Sequence, residues 1–88
     1  MISQKDRSMI LKYAKKYNIS EVYLFGSCVK KEDANDIDIG IKGILPEHFF
    51  EFYGELLLNL SKPIDVVDIS RDDSFNRLVR RDGVKLYG

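Results

Sequence analysis

Asp36-Ile37-Asp38-Ile39-Gly40-Ile41-Lys42 alternates without a break: the three isoleucines fall on one side of an extended chain, and Asp36, Asp38 and Gly40 fall on the other. A period of two over this length predicts a strand with one face in a core. It also predicts that two carboxylates leave the opposite face, with Cα atoms about 6 to 7 Å apart. Upstream, Glu21-Val22-Tyr23-Leu24-Phe25 is rich in β-branched and aromatic residues and stops at Gly26-Ser27, a strand followed by a tight turn. Downstream, Ile64 to Ile69 (IDVVDI) reads as a third strand, in which Asp65 points away from Ile64 and Val66.

Helical signals lie between these strands. Residues 3–17 form an amphipathic pattern opened by Ser3 and Asp6 in a capping-box-like arrangement, with Ile10, Ala14 and Tyr17 on one stripe and Lys15 and Lys16 in the last turn. Pro46 suits the first turn of a second helix running to about Leu60, whose expected core face is Phe49, Tyr53, Leu56, Leu57 and Leu60. Ser70-Arg71-Asp72-Asp73 caps a short helix carrying Phe75, Leu78 and Val79; Gly83 ends it, and Val84 to Tyr87 offers an edge strand. Arg77, Arg80 and Arg81 give that helix a basic edge, with Asp73 placed to pair with Arg77. Residues 26–35 are too few for a parallel crossover, so the first two strands should be antiparallel neighbours. The third strand, reached through a helix, can lie parallel beside the second. The expected fold class is α/β (α+β), a small mixed sheet with helices packed on it, in one domain spanning residues 1–88.

Composition narrows the function classes. Fourteen basic and 14 acidic residues cancel, which excludes strong general nucleic-acid binding through phosphate attraction. The single cysteine, Cys28, allows no internal disulfide, and with His48 alone it cannot build a Cys/His metal cluster. No basic-then-apolar leader opens the sequence, and no apolar run approaches the roughly 20 residues that span a bilayer. A soluble, cytoplasmic protein is expected.

The chemistry concentrates on the aspartates. Asp36 and Asp38 repel each other unless a cation sits between them, and magnesium is the hard, oxygen-seeking candidate, with manganese as the alternative. Asp65 on the adjacent strand converges on the same face, and three carboxylates can hold two metal ions about 3.5 to 4 Å apart. Gly26 lets the backbone approach phosphate oxygens, and Ser27 adds a hydroxyl donor. Lys30 and Lys31 stand where they could neutralise a triphosphate, although exposed loop lysines are common. Taken alone, an Asp-x-Asp strand more often marks a solvated sheet face; the Gly-Ser turn and Asp65 reverse that weighting. A calcium loop beginning at Asp36 fails because Ile41 occupies the position that needs glycine. Asp68 points away from Asp65 and reads as exposed or structural, and neither His48 nor Cys28 is assigned chemistry.

Gly26-Ser27, then Asp36-Ile37-Asp38, then Asp65, together with the closing DGVKLYG, resembles the DNA polymerase β nucleotidyltransferase superfamily and in particular its minimal single-domain members. The resemblance implies a metal-dependent transfer of a nucleoside monophosphate, AMP from ATP, to a hydroxyl acceptor. It assigns metal and catalysis to Asp36, Asp38 and Asp65, and the nucleotide phosphates to Gly26 and Ser27. It also implies pairing with a small helical HEPN-type toxin whose tyrosine accepts the nucleotide, this chain being the antitoxin. With no acceptor domain in the chain, the acceptor is expected in a homodimer cleft or on that partner. Three departures stand against the family pattern: a shortened loop between Ser27 and Asp36, Cys28 and Lys31 in place of the usual arginine and glycine, and Asn35 in place of serine; the shortened loop favours the alternative of a catalytically weak antitoxin that acts by occlusion.

Overall fold

The computed structural model describes residues 2–30 and 34–88, Lys30 by its backbone alone. Along the chain run α1 (Gln4–Lys16), β1 (Glu21–Phe25), α2 (Ser27–Lys30), β2 (Ile37–Lys42), α3 (Pro46–Asn59), β3 (Ile64–Asp68), α4 (Ser74–Asp82) and β4 (Val84–Tyr87). The strands make one sheet in the order β3-β2-β1-β4. β1 runs antiparallel to both β2 and β4, and β2 runs parallel to β3. This is the mixed α+β sheet expected, with β4 as an edge strand. Backbone bonds from Ile37 N–H to Pro63 O (2.9 Å) and from Ile69 N–H to Ile41 O (2.8 Å) extend the parallel ladder at both ends.

One sheet face carries the main core. Val22, Leu24, Ile37, Ile39, Ile41, Ile64 and Val66 pack beneath Ile10 and Ala14 of α1 and Phe52 and Leu56 of α3. The period-two reading of β2 therefore holds at each isoleucine. The expected face of α3 is rotated: Phe52 and Leu56 are fully buried, Phe49, Tyr53 and Leu60 only flank the core, and Leu57 is half exposed. An apolar residue occurs on nearly every side of this helix, so its periodicity does not choose a single stripe.

α1 begins at Ser3, whose hydroxyl oxygen accepts from Asp6 N–H at 3.1 Å. Asp6 does not reach back to close a capping box. Its carboxylate, 2% exposed, instead accepts from the backbone N–H of Ser61 at 3.0 Å and from the Ser61 hydroxyl, tying α1 to the turn before β3. A buried carboxylate holding two donors is a strong tether. Asp6→Ala is expected to cost about 2 to 3 kcal/mol, with Asp6→Asn recovering part of it through the amide oxygen. Urea denaturation of the two variants measures the difference.

The second sheet face is partly covered, which the sequence reading did not anticipate. Ile69 and Val79 of the α4 layer pack on Tyr23 and over Gly40, beside Phe25 and Val67. A Cβ on Gly40 would lie 2.9 Å from Ile69 Cγ2 and 3.2 Å from Val79 Cγ1. Gly40 thus admits α4 to the sheet rather than sharing an open face with the aspartates. The cap of α4 is Asp73, accepting from Asn76 N–H at 2.9 Å. Arg77 pairs with Asp72 at 2.8 Å instead of Asp73, Arg81 pairs with Asp82 at 3.0 Å, and Arg80 donates to Ile69 O. Among the described residues, no helix is long and apolar enough to cross a membrane.

Candidate active site

The exposed end of the second face is built by strand register. Phe25 pairs with Asp38 across the antiparallel β1–β2 ladder, so the chain leaving β1 passes directly over that aspartate. Gly26 turns there with φ of 78°, a left-handed conformation that glycine adopts without strain. A Cβ at Gly26 would lie 2.5 Å from Asp38 Oδ2. Glycine is thus required twice, by its dihedral and by its carboxylate neighbour. Ser27 follows at the start of α2 and is exposed.

On the other side of β2, Asp38 and Asp65 are register partners in the parallel β2–β3 pair, so both side chains leave the same face of the sheet. Asp36 precedes Asp38 by two positions and acts on it electrostatically. Burial, then Asp65, then Asp36 push the Asp38 carboxyl above the usual aspartate range. Asp38 and Asp65 thus share one sheet face beside Gly26, and Asp36, just before β2, is near enough to act on Asp38. They do not form a closed cage: among the described residues, no three carboxylate, imidazole or thiol groups surround a common point. The Tyr53 hydroxyl donates to Asp65 Oδ1 at 3.2 Å. Burial and that acceptor raise the Tyr53 phenol above its ordinary value.

An aspartate raised first by burial and then by two carboxylate neighbours marks a place where a cation would relieve the repulsion. Magnesium asks for one or two carboxylates plus substrate phosphates rather than a full protein cage. Asp36 and Asp38 fit that demand, with Asp65 alongside.

Lys31 lies outside the described residues, as does the side chain of Lys30, so neither is placed against the turn. Cys28 is buried, with its thiol 2.9 Å from Phe25 O, and burial raises its pKa; it braces the turn. His48 stands apart on α3, 3.7 Å from Glu51 and against the Tyr17 ring. Asp68 is exposed and accepts from Ser70 N–H at 2.9 Å, as befits a structural role. Sequence reasoning missed Tyr53 as a site residue. Its hydroxyl on an otherwise apolar helix face was the available signal, since a partly buried phenol needs a partner. Beyond the Gly-Ser turn lies a groove of about 410 Å³ walled by Phe25, Val29, Phe75 and Leu78, which was also not anticipated.

The raised Asp38 pKa has a consequence for stability. The folded state binds the Asp38 proton more tightly than the unfolded chain does, so this group favours folding fully below its unfolded pKa of about 3.9. That contribution is lost as pH rises through the higher folded value. At pH 7 the ionised group is a net penalty, so Asp38→Asn is expected to melt at a higher temperature than wild type. The gap should close at acidic pH, and melting curves across pH measure it.

These features define a class: a nucleotidyltransferase fold with paired aspartates on one strand, a third aspartate on the next and a glycine-serine turn over them. Residues 8–88 match the family Polymerase beta, Nucleotidyltransferase, and the chain belongs to it. Solved structures agree at the level of fold. A toxin–antitoxin structure with AMP-PNP superposes with a TM-score of 0.76 at 22% identity, covering 93% of this chain and 73% of that one. The toxin–antitoxin MntA–HepT gives 0.72 at 22% identity, covering 98% and 73%. A tri-AMPylated Shewanella oneidensis HEPN toxin in complex with MNT antitoxin gives 0.72 at 22% identity, covering 97% and 71%. No curated protein matches the chain in sequence.

Proposed function

We propose that this chain transfers AMP from ATP to a hydroxyl of a partner protein, a tyrosine of a HEPN-type toxin, and so acts as the antitoxin of a pair. The observation that carries the reading is the seating of Gly26 against the Asp38 carboxylate, with Asp65 in register beside it. A phosphate-approaching backbone and a cation-seeking carboxylate are thereby adjacent. In the reaction, the acceptor oxygen forms a bond to the α-phosphorus, the bond from that phosphorus to the bridging oxygen breaks, and pyrophosphate leaves. Asp36 and Asp38 would hold magnesium, which when bound polarises the phosphoryl oxygens. Gly26 and Ser27 would hold the outer phosphates. Asp65, oriented by the Tyr53 hydroxyl, is the carboxylate available to receive the acceptor's proton. The AMPylated toxin in one similar structure supports AMP as the transferred group.

The second reading, an antitoxin that acts by occlusion, is favoured by one observation: the short loop between Ser27 and Asp36. Mass spectrometry of the partner after incubation with ATP and magnesium tests both. Mass increases of AMP units on the partner support transfer. Suppression of toxin activity with no mass increase, retained equally by Asp36→Asn and Asp38→Asn, would leave occlusion standing alone.

A further inference from the structure

α3 is apolar on its outer side as well as its inner one. Phe50, Gly54, Leu57 and Leu58 recur at i, i+4, i+7 and i+8, which places them on one stripe, and the stripe faces solvent. Phe50 is 80% exposed and Leu58 86%. A Cβ on Gly54 would meet nothing within 4 Å, so the middle of the stripe is a shallow notch where another backbone can come close. At its N-terminal end the stripe runs into a groove of about 330 Å³ lined by Ile44, Pro46, Phe49, Phe50 and Asp68. A helix apolar on both sides is ordinarily covered on both sides, and a contiguous exposed apolar patch marks an interaction surface.

The charges beside the stripe choose the occupant. α3 contains no lysine or arginine, while Glu47 and Glu51 are exposed on its surface and Asp68 lines the groove. A second copy pairing α3 with α3 would bring acidic flank against acidic flank, which is unfavourable. We infer that the outer face of α3 docks a helix of the partner protein, one with an apolar stripe bordered by lysines or arginines. This deepens the proposed function by naming where and by what chemistry the partner is held, and it rests on the reading that a partner protein is the acceptor.

Two synthetic amphipathic helices test it, identical in their leucine stripe and carrying either lysines or glutamates along the flank. Each is titrated by fluorescence anisotropy into wild type, Leu58→Lys, Phe50→Glu and Asp38→Asn, with sedimentation of each protein in parallel. The lysine-flanked helix is expected to bind wild type about ten-fold or more tightly than the glutamate-flanked one, and Leu58→Lys or Phe50→Glu should each weaken it by about ten-fold. Both surface residues are far exposed, so the variants should keep the wild-type melting temperature. Equal binding of the two helices, or binding unchanged by both surface variants, overturns the inference. So does a wild-type dimer that Leu58→Lys converts to monomer, because the occupant is then a second copy. Asp38→Asn should bind the helix as wild type does. Helix binding alongside a wild type inactive in transfer would remove the enzyme reading and keep the docking face, whereas transfer without helix binding would do the reverse.

Discussion

Asp38→Asn is expected to reduce nucleotidyl transfer by about 10²-fold or more while leaving the domain folded, the scale on which a single electrostatic contributor to a transition state is lost. Asp38 sits at the meeting point of β1, β2 and β3: it pairs with Phe25, lies in register with Asp65 and has Gly26 against its carboxylate. Asparagine preserves the volume beside Gly26 and one oxygen ligand, but it removes the negative charge that a cation and a polarised phosphate require. Asp36→Asn should act in the same direction. The measurement is the rate of AMP incorporation into the partner, with the melting temperature as the control for folding. A variant that transfers at the wild-type rate would remove the aspartate pair from the mechanism.

Ile39→Asp, one position further along the same strand, is expected to unfold the protein. Ile39 is 0% exposed and lies in the core between the sheet and helices α1 and α3. An aspartate there must either bury an unpaired charge or protonate at a cost, and it also forfeits the packing of a branched side chain, together at least about 4 kcal/mol. At roughly 0.05 to 0.15 kcal/mol per residue a domain of this size has a margin of about 4 to 13 kcal/mol, so one such change removes between a third and all of it. Circular dichroism should show loss of the cooperative melt, at neutral pH above all. Neighbouring positions thus fail for different reasons, Asp38 for its charge and Ile39 for its burial.

The contrast between β2 and α3 explains how much could be read in advance. In β2 the alternation admits one register only, because a slip by one residue would bury aspartates and expose isoleucines. The strand and its paired faces followed from that, and its antiparallel and parallel neighbours from the lengths of the connections. In α3 the helix was evident from Pro46 and the apolar spacing, yet Phe52 was missed and Leu57 placed inside. Apolar residues all round a helix leave its rotation to whatever it packs against. Asp6 shows a second kind of miss: an acid three residues after a capping serine suggests a local reciprocal cap, but its buried carboxylate serves Ser61, 55 residues away.

By itself the sequence determined the strand and helix order, the placement of Asp38 and Asp65 on one face of a mixed sheet, and the glycine-serine turn after the first strand. Those features depend on local periodicity and on connection lengths, which one chain carries in full. Only the tertiary structure decided that Gly26 lies against Asp38, that Tyr53 takes hold of Asp65, that α4 covers Gly40, and that Phe50, Leu57 and Leu58 remain on the outside. Each of these depends on how elements distant in the chain lie against one another, and a side chain's neighbours across such a contact are set by packing rather than by its own position in the sequence.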